Sequence, residues 1–275
     1  MYKNPYYFKS VTLLITHYNR STSIEKLLLS FLDLNCSFED VIVSDDGSRV
    51  DQLNRLRELQ DIYNFKLITT VKNQGLGNNI NKGQKAVSTP FTLYIQEDFT
   101  ASEKFPFHFQ KALKFMVDDP SLDLISLYAY SRFPYTRPYK DGFSEKIFHF
   151  APWYTNNLKF YLYGDHPHLR RSTFMSKFGK YSEVLNSDLT EMNMSLSFIA
   201  NNGRCLIYDD HYTLLTQENT EQEPSTATFR KSWKLSNNTL TKVARWLYGR
   251  YKFLKLNFWL IRTLFWKRVS RHKPV

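Results

Sequence analysis

Apolar residues recur with two alternating periods along the first hundred residues. Short runs rich in β-branched residues are typical of buried strands, and they occur at 11–16, 40–46, 65–71 and 91–96. Between them, apolar residues recur at steps of three and four, as in amphipathic helices, at 23–34, 52–63 and about 78–87. This rhythm predicts parallel strands joined by crossover helices, and hence an α/β fold.

Polar residues collect where these predicted strands end. The four ends are "THYNR" (16–20), "SDDGS" (44–48), "KNQGLGNN" (72–79) and "QED" (96–98). Each alone is also typical of an ordinary turn, and the sequence has neither a complete dinucleotide fingerprint nor a Lys-Ser/Thr phosphate loop. In a parallel sheet, however, the carboxyl ends meet at one edge, where ligands bind. The four ends together therefore predict a binding site.

The net charge of +11 comes from the end of the chain. Residues 228–275 hold 13 of the 37 Lys and Arg residues and none of the 26 acidic residues, which leaves 24 basic against 26 acidic residues, a net of −2, before them. A polar, acidic stretch at 217–226 separates the two compositions. We therefore expect a main domain at 1–216, a linker at 217–227 and a basic helical tail at 228–275.

The tail has an apolar stripe at steps of three and four residues. Its members are Leu240, Val243, Leu247, Tyr251, Leu254, Phe258, Ile261 and Phe265. Basic residues and three tryptophans surround it, which favours a helix lying on an anionic membrane surface. Packing on the main domain and pairing in a homodimer are the alternatives. Specific nucleic-acid binding is not expected, because no reading motif accompanies the charge.

Two further features bear on the compartment. The apolar stretch within the first twenty residues is far too short for a membrane span and no small-residue cleavage site follows it, so we expect neither an anchor nor a signal peptide there. Cys36 and Cys205 form no disulfide framework. A reducing, cytoplasmic setting is therefore a simpler expectation than a single disulfide between them.

The order "VTLLITHYNR", "VIVSDDGS", "KNQGLGNNINKG", "YIQED" resembles the nucleotide-binding half of family 2 glycosyltransferases. The resemblance is close over about 10–100 and looser over 101–215. It implies a Rossmann-like GT-A fold in a single domain with a mostly parallel central sheet, in which 1–100 binds a nucleotide-sugar and 101–216 binds the acceptor.

The resemblance also implies which residues hold the donor nucleotide. Thr16 is expected near the ribose, Tyr18 stacked on the base, and Asp46 hydrogen-bonded to the base. Asn73 and Gly75 occupy the family's Asn-x-Gly turn, and Asn81 and Gly83 belong to the helix that follows. Ile80 stands where the family has Arg, so one polar contact to the nucleotide is missing or moved.

The "QED" stretch occupies the place of the family's Asp-x-Asp element, which holds a divalent cation. A hard cation bound by carboxylate oxygen neutralises the departing diphosphate. Asp98 is the expected ligand for Mn²⁺ or Mg²⁺, with His211 as an additional one. Glu97 either faces the ribose or acts as a second ligand, and Gln96 offers only a weaker, neutral oxygen. Alternatively, these acids simply cap the following helix.

The second half should supply a general base and acceptor contacts. Family members carry a base about ninety residues after the metal element, at the start of a helix, which implies Glu191, with Asp188 second. Helix capping is the alternative reading of these acids. The expected acceptor or phosphate contacts are Trp153, Asp165, His168 and Arg170, because aromatic faces suit sugars and Arg pairs with anions.

These expectations combine into one function. We expect a metal-dependent, inverting glycosyltransferase that moves a sugar from a UDP-sugar to a glycan or lipid-linked acceptor in cell-surface polysaccharide synthesis, attached peripherally to the inner face of the cell membrane. The alternatives are a catalytically silent nucleotide-sugar-binding protein, and an adaptor that binds membrane or nucleic acid.

Overall fold

A computed structural model describes residues 6–184, 186–218 and 239–271, with the side chains of the last segment described over 242–265. The strands are β1 Tyr6–His17, β2 Cys36–Asp45, β3 Lys66–Ile68, β4 Phe91–Gln96, β5 Phe99–Ala101, β6 Leu124–Ser126, β7 Thr136–Pro138, β8 Phe143–Lys146, β9 His168–Arg171, β10 Cys205–Tyr208 and β11 Leu215–Gln217. The helices are α1 Ser21–Asp33, α2 Val50–Tyr63, α3 Leu76–Lys85, α4 Phe105–Asp118, α5 Phe174–Phe178, α6 Ser187–Ala200 and α7 Thr239–Arg271, with a 3₁₀ helix at Asn157–Phe160.

A nine-stranded sheet, in the order β3-β2-β1-β4-β9-β6-β10-β8-β7, forms the centre of the molecule. The pairings β1/β2, β1/β4, β2/β3 and β6/β10 are parallel, whereas β9 and β8 run antiparallel to their neighbours. Only these two strands therefore oppose the direction of the others. The predicted α/β fold with a mostly parallel sheet is confirmed.

Helices cover both faces of the sheet, which explains the continuous apolar runs in the sequence. Successive side chains of a strand point to opposite faces. Along β1, Leu13 and Ile15 pack in the cluster that includes residues of α1 and α4, whereas Leu14 packs in the cluster that includes Ile80 of α3 and residues of α6. A buried run without alternation is thus the expected pattern for a central strand with two covered faces.

The predicted elements of the first half are present with shifted ends. The strand predicted at 91–96 matches β4, whereas the one predicted at 65–71 is reduced to Lys66–Ile68. β1 begins at Tyr6, five residues earlier than predicted, and pairs there with β2 from Cys36 onwards. A small antiparallel ladder of β5 and β11 lies beside the end of β4.

The C-terminal helix α7 packs against α6 and the 3₁₀ helix. Leu256 and Leu260 are buried there, in a cluster with Phe160, Met192 and Leu196. The members of the predicted apolar stripe with described side chains lie instead on the exposed side of α7: Val243, Leu247, Tyr251, Leu254, Phe258, Ile261 and Phe265. The helix therefore has two apolar faces, one packed on the domain and one exposed to solvent.

Within the described part of the chain, no helix combines the length and the hydrophobicity that crossing a bilayer requires. Residues 219–238, which include most of the predicted linker and the start of the predicted tail, lie outside the described residues.

Candidate functional site

Three of the predicted polar ends lie side by side at one edge of the sheet. Thr16, near the end of β1, is in register with Ser44 on β2 and with Gln96 on β4. The polar stretches that follow these strands are therefore neighbours, as the sequence predicted. The remaining polar end, which follows β3, reaches the same edge through Gln74 and Gly75, which contact Asp46.

The predicted nucleoside contacts differ in their exposure. Thr16 is almost fully buried, and its hydroxyl is hydrogen-bonded to the Tyr94 hydroxyl at 3.1 Å. Tyr18 is half-buried, so its ring is partly open to solvent beside the strand ends. Of the two residues, Tyr18 is the more accessible to a ligand.

Asp46 lies at the junction of two predicted motifs. Its carboxylate oxygens accept hydrogen bonds from the backbone N–H groups of Gln74, at 2.9 Å, and Gly75, at 2.8 Å. Burial raises the pKa of Asp46, and these two bonds offset part of that effect. Asn73 is exposed and accepts a bond from the Gly75 N–H. Gly75 has φ of +88°, a backbone conformation that favours glycine.

The adjacent Asp45 holds the loop together and was not singled out from the sequence. It is fully buried, and it accepts hydrogen bonds from His17 at 2.8 Å and Thr69 at 2.7 Å as well as from Ser48. The Nε2 of His17 accepts from the Arg20 N–H, so the ring proton lies on Nδ1, toward Asp45. Burial alone would raise the pKa of Asp45, but the hydrogen bonds outweigh it and lower that pKa.

The residues of α3 that the family resemblance singled out contribute to packing. Asn81 exchanges hydrogen bonds with the backbone of Tyr181 at 2.9 and 3.0 Å. At Gly83 a Cβ would lie 2.5 Å from Leu14, so only glycine lets α3 approach β1 this closely. Ile80 is fully buried in the core. The absent polar contact at this position is thus replaced by an apolar one.

Asp98 lies directly after β4 and is paired with an arginine that the sequence analysis did not single out. Arg20 donates from Nη1 to Asp98 Oδ2 at 3.0 Å and lies 3.9 Å from Glu97. The Nε2 of Gln217, at the end of β11, donates to the same Asp98 oxygen at 2.8 Å. The only sequence signal was a basic residue within a polar strand end, which is ambiguous by itself.

The acids at this strand end fit a divalent cation. Asp98 Oδ1 is buried and has no hydrogen-bond partner among the described residues, although carboxylate oxygens are usually satisfied when buried. Burial, and then the charge of Asp98, raise the pKa of Glu97, and Arg20 opposes this. A cation at this position would satisfy the oxygen and favour the ionised carboxylates.

Gln96 connects the end of β4 to the loop preceding β9. Its Nε2 donates to the backbone carbonyl of Asp165 at 3.3 Å. The first residue of the predicted "QED" stretch thus joins these two parts of the chain.

The same loop brings together the second cluster of titratable groups. The side chains of Asp165, His166 and Glu191 each offer an atom within 4.8 Å of the others, close enough to share a cation. Burial, followed by the charge of Asp165, raises the pKa of Glu191, while the charges of Lys252 and Lys146 oppose it. The predicted base therefore lies beside a predicted acceptor residue.

Helix α7 contributes directly to the surroundings of Glu191. Lys252 donates to the hydroxyl of Tyr161 at 2.6 Å and lies 4.9 Å from the centre of that ring. Lys146 donates to Ser126 and to the Leu162 carbonyl, both at 3.0 Å. Two lysines, from α7 and β8, thus supply positive charge near Glu191.

The remaining predicted residues are not brought into this cluster. Arg170 is fully buried and donates to Gln84, at 2.7 Å, and to Tyr181. His168 is buried on β9, and burial lowers its pKa well below the usual value. In this conformation both contact protein groups, so their contact with a ligand stays a prediction.

Three more predicted residues lie elsewhere. Asp188 is exposed on the first turn of α6, whose actual N-cap is Asn186. The ring of His211 packs at a tilt against that of Tyr212, with 4.3 Å between their centres, and His211 contacts the Asp209 carbonyl rather than Asp98. Trp153 is 75% exposed, near Tyr154.

Comparison with known proteins decides the family. The family model described as "Glycosyl transferase family 2" matches residues 12–185, more than half of the chain. The chain belongs to glycosyl transferase family 2. The family match covers the ends of β1, β2 and β4 and the Asp165 loop, whereas Glu191 and α7 lie beyond it.

Curated proteins with related sequences are named as synthases. Poly-beta-1,6-N-acetyl-D-glucosamine synthase of Staphylococcus epidermidis is 25% identical over 100 residues, which is 36% of this chain and 24% of that protein. The enzyme of the same name from Staphylococcus aureus strain COL is 24% identical over 118 residues, 43% of this chain and 28% of that protein. The chain thus spans about a quarter of the length of these relatives.

Solved structures show the same fold. The crystal structure of S. aureus TarS 1-349 in complex with UDP-GlcNAc has a TM-score of 0.56 and 18% identity, covering 77% of this chain and 60% of that one. The complex of the same fragment with UDP has a TM-score of 0.53. The predicted GT-A fold of this family is confirmed.

Proposed function

We propose that this protein transfers N-acetylglucosamine from UDP-N-acetylglucosamine to a hydroxyl group of a glycan or lipid-linked acceptor, with inversion, in cell-surface polysaccharide synthesis. The observation that carries the proposal is the pair of acidic clusters joined by Gln96, with Asp98 on the donor side and Glu191 on the other. The relatives named as synthases and the TarS complex with UDP-GlcNAc support the choice of donor.

The donor side would hold the nucleotide and a divalent cation. Tyr18 would stack on the base and Asp46 would bind it by a hydrogen bond, and Asp98, with its unpartnered oxygen, would hold Mn²⁺ or Mg²⁺ together with Glu97. When bound, the cation supplies positive charge to the departing diphosphate. Arg20 fixes the Asp98 carboxylate, which keeps the free oxygen in a defined direction.

The acceptor side would supply the proton transfer. A carboxylate near the acceptor hydroxyl can remove its proton as the new bond forms at the anomeric carbon. Glu191 fits this task because its raised pKa makes it a stronger base once ionised. Gln96 holds the loop of Asp165 against the donor strand, so that donor and acceptor groups keep a fixed separation.

Binding and turnover test this proposal together. UDP-N-acetylglucosamine with Mn²⁺ should raise the melting temperature, since a ligand that binds only the folded state stabilises it. UDP release should depend on the metal and should be lost in Asp98→Asn. Asp118→Asn, on the exposed side of α4, is the matched control and should behave as wild type.

Each alternative function has its own outcome in that experiment. A silent nucleotide-sugar-binding protein would show the thermal shift without UDP release. An adaptor would show neither. Metal-independent release that persists in Asp98→Asn would contradict the role of Asp98.

We further propose that α7 attaches the protein peripherally to the anionic inner face of the cell membrane. Its exposed face carries aromatic and aliphatic side chains, and Lys242, Arg250 and Arg262 on the same helix are exposed. A helix with apolar and basic residues of this kind binds anionic lipid surfaces.

A further inference from the structure

A cleft of about 540 Å³ lies in the acceptor half, away from the donor edge. It is lined by residues 132–136, between β6 and β8, and by His149 and Asn156. None of these residues follows β1, β2 or β4, whose ends form the nucleotide side. The cleft is therefore separate from the nucleotide side of the sheet.

One wall of the cleft is aromatic. The rings of His149 and Tyr154 stack at 3.9 Å with an angle of 10° between their planes. Tyr135 meets both edge-on, at 5.6 and 5.0 Å. Of these three rings, those of Tyr135 and His149 line the cleft. They offer flat faces to a ligand.

The other groups of the cleft are hydrogen-bond donors and acceptors. Arg132 and Thr136 are exposed, and Arg132 makes no ion pair with another described residue. The side-chain carbonyl of Asn156 accepts from the Leu158 N–H, which fixes the Asn156 side chain at the edge of the cleft. Aromatic faces combined with a few fixed polar groups suit the C–H faces and hydroxyl groups of a sugar ring.

A short chain of contacts connects the cleft with Glu191. The ring of Phe133, on the cleft wall, lies 5.5 Å from the ammonium of Lys146. Lys146 in turn holds the Leu162 carbonyl at 3.0 Å. Two residues later, a Cβ on Gly164 would lie 3.3 Å from Glu191 Oε1. The cleft wall is thus linked through Lys146 to the surroundings of Glu191.

We propose that this cleft is a second sugar subsite, which binds a unit of a glycan acceptor other than the one that reacts at Glu191. This inference rests on the proposed glycosyl transfer. It implies that an oligosaccharide is a better acceptor than a single sugar, because the additional unit contributes binding at the aromatic wall.

The test uses the full chain, UDP-N-acetylglucosamine with Mn²⁺, and β-1,6-linked N-acetylglucosamine oligomers of one to six units as probes. We expect saturation-transfer NMR to show binding of the longer oligomers, and the KM for acceptor to fall with length. His149→Ala and Arg132→Ala should each remove this length dependence, raising the KM of the hexamer by about tenfold, the effect of losing one aromatic or polar contact. The monomer should be unaffected.

Phe107→Ala is the matched control, because it removes an exposed aromatic side chain of α4 that is not part of the cleft lining. It should retain the length dependence. Oligomers that fail to bind, a KM independent of length, or equal loss for monomer and hexamer in His149→Ala would each overturn the subsite. UDP-N-acetylglucosamine binding by thermal shift is read separately, so its absence in wild type would overturn the proposed function instead.

Discussion

The two oxygens of Asp98 have different surroundings. Oδ2 receives hydrogen bonds from Arg20 and Gln217, whereas Oδ1 has no partner among the described residues. Arg20 and Asp98 are both nearly buried, with side chains 9% and 5% exposed. Removing one partner of such a pair leaves an uncompensated charge, which is more harmful than removing both.

We therefore expect Arg20→Met to lower the free energy of unfolding by about 3 kcal/mol, within the usual range for breaking a buried pair. Mn²⁺ should restore part of that loss, so the metal-induced rise in melting temperature should be larger in the variant than in wild type. Denaturant titrations with and without Mn²⁺ measure both effects. Arg57→Met, at an exposed arginine of α2, is the control. If Mn²⁺ raised the melting temperature of Arg20→Met and of wild type equally, the cation would not bind at Asp98.

The raised pKa of Glu191 predicts that kcat/KM depends on pH. Burial and the charge of Asp165 raise its pKa to about 8. A base acts in its ionised form, so kcat/KM should rise as the pH increases through about 8 and then level off. Lys252→Met removes a positive charge that lowers this pKa, and it should move the rise to higher pH. Lys252→Arg should restore the wild-type profile.

Glu191→Gln tests the base itself. It should lower kcat by about 10² to 10⁴-fold, the usual contribution of a positioned base, while leaving UDP binding intact. Asp188→Asn, one turn earlier and exposed, should change kcat little. The opposite result would assign the base to Asp188, the second residue predicted from the sequence.

Among the helices and strands, α7 has an unusual distribution of apolar residues. Its buried and exposed faces are both apolar, so a single helix presents two surfaces of similar chemistry. Leu260 is fully buried against α6, whereas Leu254 is 66% exposed. Substituting Leu260 therefore tests the face that packs on the domain, and substituting Leu254 tests the face that is open to a partner.

Leu260→Ala should lower the free energy of unfolding by about 2–5 kcal/mol, as large-to-small changes in cores do. Leu254→Ala should change it by less than about 0.5 kcal/mol, as is usual for surface positions. Urea denaturation monitored by circular dichroism compares the two. Equal effects would contradict the observed docking of α7.

The sequence predicted elements better than contacts. β4 was predicted to the residue from its run of β-forming residues, and Asp98 was singled out from its place after that strand. The Arg20–Asp98 pair joins residues 78 positions apart, and no local pattern encodes such a contact. On α7, Leu260 and Leu254 belong to equally regular stripes, so periodicity could not decide which of them packs on the domain.

For the whole molecule, the exposed face of α7 is the expected membrane contact. The double variant Leu254→Ser and Phe258→Ser should reduce binding to vesicles containing anionic lipid, because it removes apolar area from that face. Its melting temperature should stay near that of wild type, since both residues are exposed. Vesicle sedimentation measures the binding, and added salt should weaken it in wild type.

Two results would count against membrane attachment. Vesicle binding unchanged by the double variant would exclude this face as the contact. A dimer of the wild type in lipid-free solution that is lost in the double variant would assign the face to a second copy of the chain, as the alternative prediction from the sequence has it.

The two faces of α7 also set a length scale. An α-helix with its side chains is about 10–12 Å across. Lys252 and Leu256 face the domain near Glu191, and Leu254 and Phe258 face away from it. A surface covering the outer face therefore lies about one helix diameter from the inner one. A lipid-linked acceptor would need a headgroup that spans this height, which favours extended carriers over short-headed lipids.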